Sequence, residues 1–204
     1  MAADIGGAIM RLFVLAALAG GIVLQIFTVT ECNFMGYSNA NKQLGTSGIF
    51  LWQPAGSTEC QKRIATEDIP TSISATEDFM SNSTGIENLY NSDQGDVYTK
   101  VSQASIIISI ILAGFAMFFL FFECMFTNHC CCGVFRWLSL AGAKIFAGLT
   151  FIIYASDVCR LDGYDCTWSK GSTFNIIALA LYILASIMVC CTPKGQPICG
   201  SSSE

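Results

Sequence analysis

The stretch Ser105–Phe126, SIIISIILAGFAMFFLFFECMF, sets the class of this protein, because it runs for 22 residues with a single charge, Glu123. A bilayer hydrocarbon core about 30 Å thick is crossed by roughly 20 mostly apolar helical residues. Three more stretches meet that requirement, Ala8–Val29, Trp137–Ala155 and Phe174–Cys191. The first lacks a Lys/Arg-rich lead and a convincing small-residue cleavage site, so it reads as an uncleaved signal anchor. Composition agrees: the 204 residues are 53% hydrophobic and only 12% charged, with a mean hydropathy of +0.56, and a soluble chain carries about twice that charge. The net charge of -5 leaves no basic footprint for nucleic acid.

Four spans divide the chain into 8–29, 105–126, 137–155 and 174–191, separated by a long segment 30–104, a tight hairpin 127–136 and a smaller loop 156–173, with a tail 192–204. An even number of crossings places the two polar loops on one side and the hairpin with both termini on the other. The positive-inside rule orients this weakly, since Arg11, Arg136 and Lys194 are offset by Arg160 and Lys170.

The cysteines orient it better. Cys32 and Cys60 fall in the long loop and Cys159 and Cys166 in the small one, together with an N-glycosylation acceptor at Asn82-Ser83-Thr84. Paired cysteines on one face suit an oxidising compartment, so both loops are expected outside and the termini in the cytosol. Four cysteines allow three connectivities. Pairing Cys32 with Cys60 and Cys159 with Cys166 closes a loop within each segment; the alternatives staple the two loops together. Each restricts the unfolded states of a small ectodomain with little core of its own.

Cys124, Cys130, Cys131, Cys132, Cys190, Cys191 and Cys199 gather instead at the hairpin and the end of the fourth span. Juxtamembrane thiols on the cytosolic side are candidates for S-palmitoylation. His129 beside three consecutive cysteines lacks the ligand spacing of a zinc site, so no metal and no cofactor are expected.

Inside the spans, Ala16, Ala17, Gly20 and Gly21 in the first, Ala143, Ala147 and Gly148 in the third, and Ala178 and Ala185 beside Tyr182 in the fourth suit close helix contact. The aromatic second span faces lipid or another subunit. Arg11, Glu123 and Lys144 are the ionisable residues in or near apolar stretches, and Glu123 is expected to pair with Lys144 or with Arg11. The long loop carries nine acidic and four basic residues. Its first half holds short apolar runs between turn residues, as strands require, and its second half, 65–96, is polar surface loop.

Four spans, a long first outer loop, a short second one and a tight cytosolic hairpin resemble the claudin and peripheral-myelin-protein superfamily. Gly48-Ile49-Phe50-Leu51-Trp52 followed by Cys60 is similar to that superfamily's Gly-Leu-Trp motif with its following cysteines, except that a single cysteine follows and Cys32 precedes. The resemblance implies a four-helix transmembrane bundle under a small extracellular antiparallel sheet built from the first loop, joined by a strand from the second, with Trp52 anchoring the strands at the outer leaflet. Cys131-Cys132-Gly133 looks like a tetraspanin signature, yet it lies in the hairpin. No nucleophile, base and oxyanion constellation is visible. The expected function is therefore non-enzymatic: lateral assembly or adhesion through a disulfide-braced ectodomain, with itself or other membrane proteins, in the plasma membrane or another membrane of the secretory pathway. Alternatives are an auxiliary subunit of a channel, transporter or other complex, and a pore or transporter in its own right.

Overall fold

A computed structural model describes residues 2–39, 42–54, 60–62, 97–125, 130–155, 159 and 164–191. The elements in chain order are α1 (Ala2–Thr30), β1 (Met35–Asn39), β2 (Lys42–Ser47), β3 (Leu51–Pro54), β4 (Gln61–Lys62), α2 (Val97–Met125), α3 (Cys130–Leu149) continued by a 3-10 segment (Thr150–Ala155), β5 (Tyr164–Trp168) and α4 (Lys170–Cys191). Four helical stretches are long and apolar enough to cross a membrane: Ile9–Thr30, Val97–Phe122, Gly133–Ala155 and Lys170–Cys190. The chain is a multi-pass membrane protein, and the outward faces of these helices meet lipid.

Helices extend past the apolar limits read from the sequence. The second begins at Val97 and the third at Cys130, so much of what the sequence assigns to loop is helical. Polar residues there do not end the helix: Thr99 and Ser102 are buried, and Ser102 Oγ donates to the Thr150 carbonyl at 2.7 Å.

The chain divides into two compact units. The first comprises residues 1–26, 105–148 and 174–204 and contributes segments of all four helices. Its core is built from small side chains: Ala17, Ala113, Ala116, Ala143, Ala147 and Ala185 are buried alongside Val14, Leu18, Leu120 and Leu140. Small residues let backbones approach, which is how helices associate where lipid removes the hydrophobic drive. Large residues face outward, among them Phe115, Phe118, Phe121, Ile145 and Ile187.

The second unit comprises residues 27–104 and 149–173. It holds a five-stranded antiparallel sheet of order β4-β3-β2-β1-β5. Strand β5 comes from the second loop and pairs along the whole of β1, Met35 opposite Trp168 and Asn39 opposite Tyr164. Disulfides join Cys32 to Cys60 and Cys159 to Cys166, with Cα–Cα distances of 5.9 and 5.5 Å, so each closes a loop within its own segment.

The Gly48–Trp52 motif forms the turn from β2 into β3, where the Gly48 amide donates to the Leu51 carbonyl. Gly48 is required there: a Cβ would crowd the Glu31 carbonyl and lie 3.0 Å from the Leu51 carbonyl and 3.1 Å from Cys32 Cα. Ile49 is fully buried. Trp52 sits in β3 opposite Ser47 and Gln61; its side chain lies outside the described residues, and so does its role as an anchor.

Phe34 organises the start of the sheet. Its ring packs against Phe151 and Tyr154, its amide donates to the Ser47 carbonyl, and its carbonyl accepts from Tyr154 Oη at 3.2 Å and from Ser172 Oγ. The neighbouring Asn33 carbonyl accepts from the Gly171 amide at 2.8 Å, and Thr28 Oγ1 donates to the Gly171 carbonyl. These bonds tie the loop after α1 to the first turn of α4.

Candidate functional site: a closed polar layer in the four-helix unit

Four polar side chains meet inside the first unit, one from each of α1 and α2 and two from α4. Gln25, Ser109, Asn175 and Tyr182 all have essentially no exposed surface. Each occupies the stripe its helix buries: Gln25 follows Val14, Leu18 and Gly21, Ser109 precedes Ala113 and Ala116, and Asn175 and Tyr182 alternate with Ala178 and Ala185. In water such residues would mark the outer face of a helix. In a bilayer the periodicity inverts, because only another helix offers hydrogen-bond partners.

Each member of the layer is hydrogen-bonded to another helix. Gln25 Nε2 donates to Ser109 Oγ at 2.9 Å and to Asn175 Oδ1 at 3.3 Å, which engages both of its protons. Tyr182 Oη donates to Gln25 Oε1 at 2.9 Å. Ser109 Oγ donates to the Ala143 carbonyl at 2.8 Å, and Asn175 Nδ2 donates to the Ala147 carbonyl at 3.0 Å, so α3 takes part through its backbone.

The amide orientations follow from one anchor. A carbonyl only accepts, so Asn175 must turn its NH2 toward Ala147 and its Oδ1 toward Gln25. Gln25 must then answer with its own NH2, leaving Oε1 for the tyrosine. Gly21 makes room for that tyrosine: a Cβ there would lie 3.0 Å from Tyr182 Cδ1 and Cζ. The arrangement contains no carboxylate, imidazole or thiol, and its chemistry is to hold four helices in one register.

The ionisable residues read from the sequence fall elsewhere. Ser109 bonds to Ala143, a Cβ on Gly142 would touch Leu112, and the Phe119 and Phe135 rings lie 6.0 Å apart, which fixes the antiparallel register of α2 and α3. In that register Lys144 is level with Ser109, and Glu123 lies about fourteen residues further along α2, roughly 21 Å at 1.5 Å per residue. The backbone positions of Glu123 and Lys144 therefore lie far apart along the helices, and the register gives no support to pairing these two. Gln25 is also level with Ser109, so the same spacing brings Arg11, not Lys144, to the level of Glu123. Glu123's side chain itself lies outside the described residues.

Among the acylation candidates, Cys190 is an exposed free thiol at the end of α4. Cys124, Cys130, Cys131, Cys132 and Cys191 belong to helices, with side chains outside the described residues, and Cys199 and Asn82 lie wholly outside them. Neither a family model nor a curated protein matches the chain.

Of the four layer residues, sequence reading singled out Tyr182 alone. The signal for the others was present in their phase: Gln25, Ser109 and Asn175 each lie in register with the small residues of their own helix.

Proposed function

We propose that this chain is a non-enzymatic, claudin-like tetraspan that assembles laterally in the membrane, with itself or as the auxiliary subunit of another membrane complex, and presents its disulfide-braced sheet as a contact surface. The observation that carries the reading is the closure of the polar layer. Each polar atom of Gln25 and Asn175, and the Tyr182 hydroxyl proton, makes at least one bond that holds helices together, so the polar chemistry of the layer is spent on packing. Activity of such a bundle lies at its periphery.

The paired cysteines favour an orientation with the sheet outside and both termini in the cytosol, in the plasma membrane or another secretory-pathway membrane. Glycosylation of Asn82 and palmitoylation of the hairpin and tail cysteines belong to the same reading, and among the described residues Cys190 is an exposed thiol open to acylation. Crosslinking in the native membrane followed by identification of neighbours tests it. Reproducible protein neighbours are expected; a strictly monomeric particle in mild detergent with no crosslinked neighbour overturns it.

A further inference from the structure

Lys144 is a cation set within an apolar span. The third span's apolar run begins at Trp137, just after Arg136, and its helical stretch ends at Ala155, which puts Lys144 about 10 Å from one end and about 19 Å from the other along the axis. A lysine side chain extends only about 6 Å, so its ammonium cannot reach either headgroup layer by snorkelling. Lys144 is half-buried, and among the described residues it has no hydrogen-bond or ion-pair partner. The backbone position of Glu123 lies about 21 Å away along the helices. An ionisable residue so placed is retained for a use.

We propose that Lys144 is the docking point for a transmembrane helix of a different protein that carries an Asp or Glu at mid-span. The inference rests on the lateral-assembly reading and names the class of partner. Three observations select it. A phosphate, whether of a lipid or free in solution, lies beyond the ammonium's reach. The stretches Ile9–Thr30, Val97–Phe122, Gly133–Ala155 and Lys170–Cys190 contain no Asp or Glu, and Glu123 comes only after the end of the second, so a second copy has no carboxylate to offer at that depth. The positions one turn away on the same face are Ala141 and Gly148, and a Cβ on Gly148 would meet nothing within 4 Å, so a partner backbone can approach closely enough for a charge-assisted hydrogen bond.

The test reconstitutes the full chain in phosphatidylcholine vesicles with labelled single-span leucine-alanine helices bearing Asp at mid-span, Leu at mid-span, or Asp near one end. Energy transfer reports association. The mid-span Asp helix is expected to bind at least tenfold more tightly than the other two, with the gain lost in Lys144→Leu and kept in Lys144→Arg. Equal binding of Asp and Leu helices, or a gain that survives Lys144→Leu, overturns the proposal. Both variants are checked for an unchanged melting temperature.

Crosslinking of wild type and Lys144→Leu in native membranes separates the two readings. If both capture the same neighbours, lateral assembly stands and the lysine is not its docking point. If wild type captures none, lateral assembly falls, and the vesicle measurement still decides the lysine.

Discussion

Replacing Gln25 with leucine keeps an apolar-compatible side chain on α1 while deleting the hub that reaches α2 and α4. Three side-chain hydrogen bonds disappear, to Ser109, Asn175 and Tyr182. Interhelical hydrogen bonds in bilayers average about 0.6 kcal/mol, giving roughly 2 kcal/mol. The tyrosine hydroxyl and the Asn175 carbonyl are then left buried without partners, at about 1 kcal/mol each at the low end. Ser109 is spared because it still donates to Ala143. The expected loss is thus about 3–4 kcal/mol, measured by reversible denaturant titration in mixed micelles. Tyr182→Phe made in the Gln25→Leu background should cost less than alone, because it removes a group already orphaned, with a coupling of about 1 kcal/mol. A single-variant loss below about 0.5 kcal/mol, or strict additivity of the two, would refute the idea that the layer acts as one unit.

Gly21→Ala should cost about 1–3 kcal/mol in the same titration, since the new methyl overlaps Tyr182 Cε1, lies 3.0 Å from Cδ1 and Cζ, and pushes the hydroxyl off Gln25; a neutral result would place the ring elsewhere. In the second unit, Gly171→Ala sets a methyl 3.0 Å from Phe34 Cα and 3.2 Å from the Asn33 carbonyl, both backbone, and should raise the rate of proteolysis in residues 30–62 severalfold. The two disulfides span 28 and 7 residues, for which chain entropy gives about 3.6 and 2.4 kcal/mol. The double variant Cys32→Ser/Cys60→Ser should therefore lower the melting temperature more than Cys159→Ser/Cys166→Ser; the reverse order would mean that the shorter bridge acts through the β1–β5 pairing instead.

The spans were legible because a bilayer imposes a length and a composition that few other structures satisfy. Pairing within each loop was one of three connectivities open to the sequence, and a strand from the second loop was implied only by the resemblance to the claudin superfamily. The polar layer was harder. A lone Gln, Ser or Asn in an apolar run carries no label, and only its phase relative to small residues on the same helix shows that it faces inward. The level of Lys144 relative to Glu123 is not legible for a different reason: composition reads 127–136 as a hairpin, whereas α3 already starts at Cys130. Levels across two antiparallel helices depend on where the turn ends, and composition does not mark that point.

The place of β5 in the sheet also imposes an order of events on the growing chain. Strand β1 lies between β2 and β5, and β5 is made about 130 residues after it. Strands β1 to β4 and the Cys32–Cys60 bridge can therefore form while most of the protein is still unmade, but β1 keeps an open edge through the synthesis of α2 and α3. Unpaired strand edges recruit other strands, so until Trp168 emerges the first loop is a half-finished surface. The segment Tyr164–Gly171, whose Gly171 amide donates to the Asn33 carbonyl, acts as the clasp that ends this vulnerable interval.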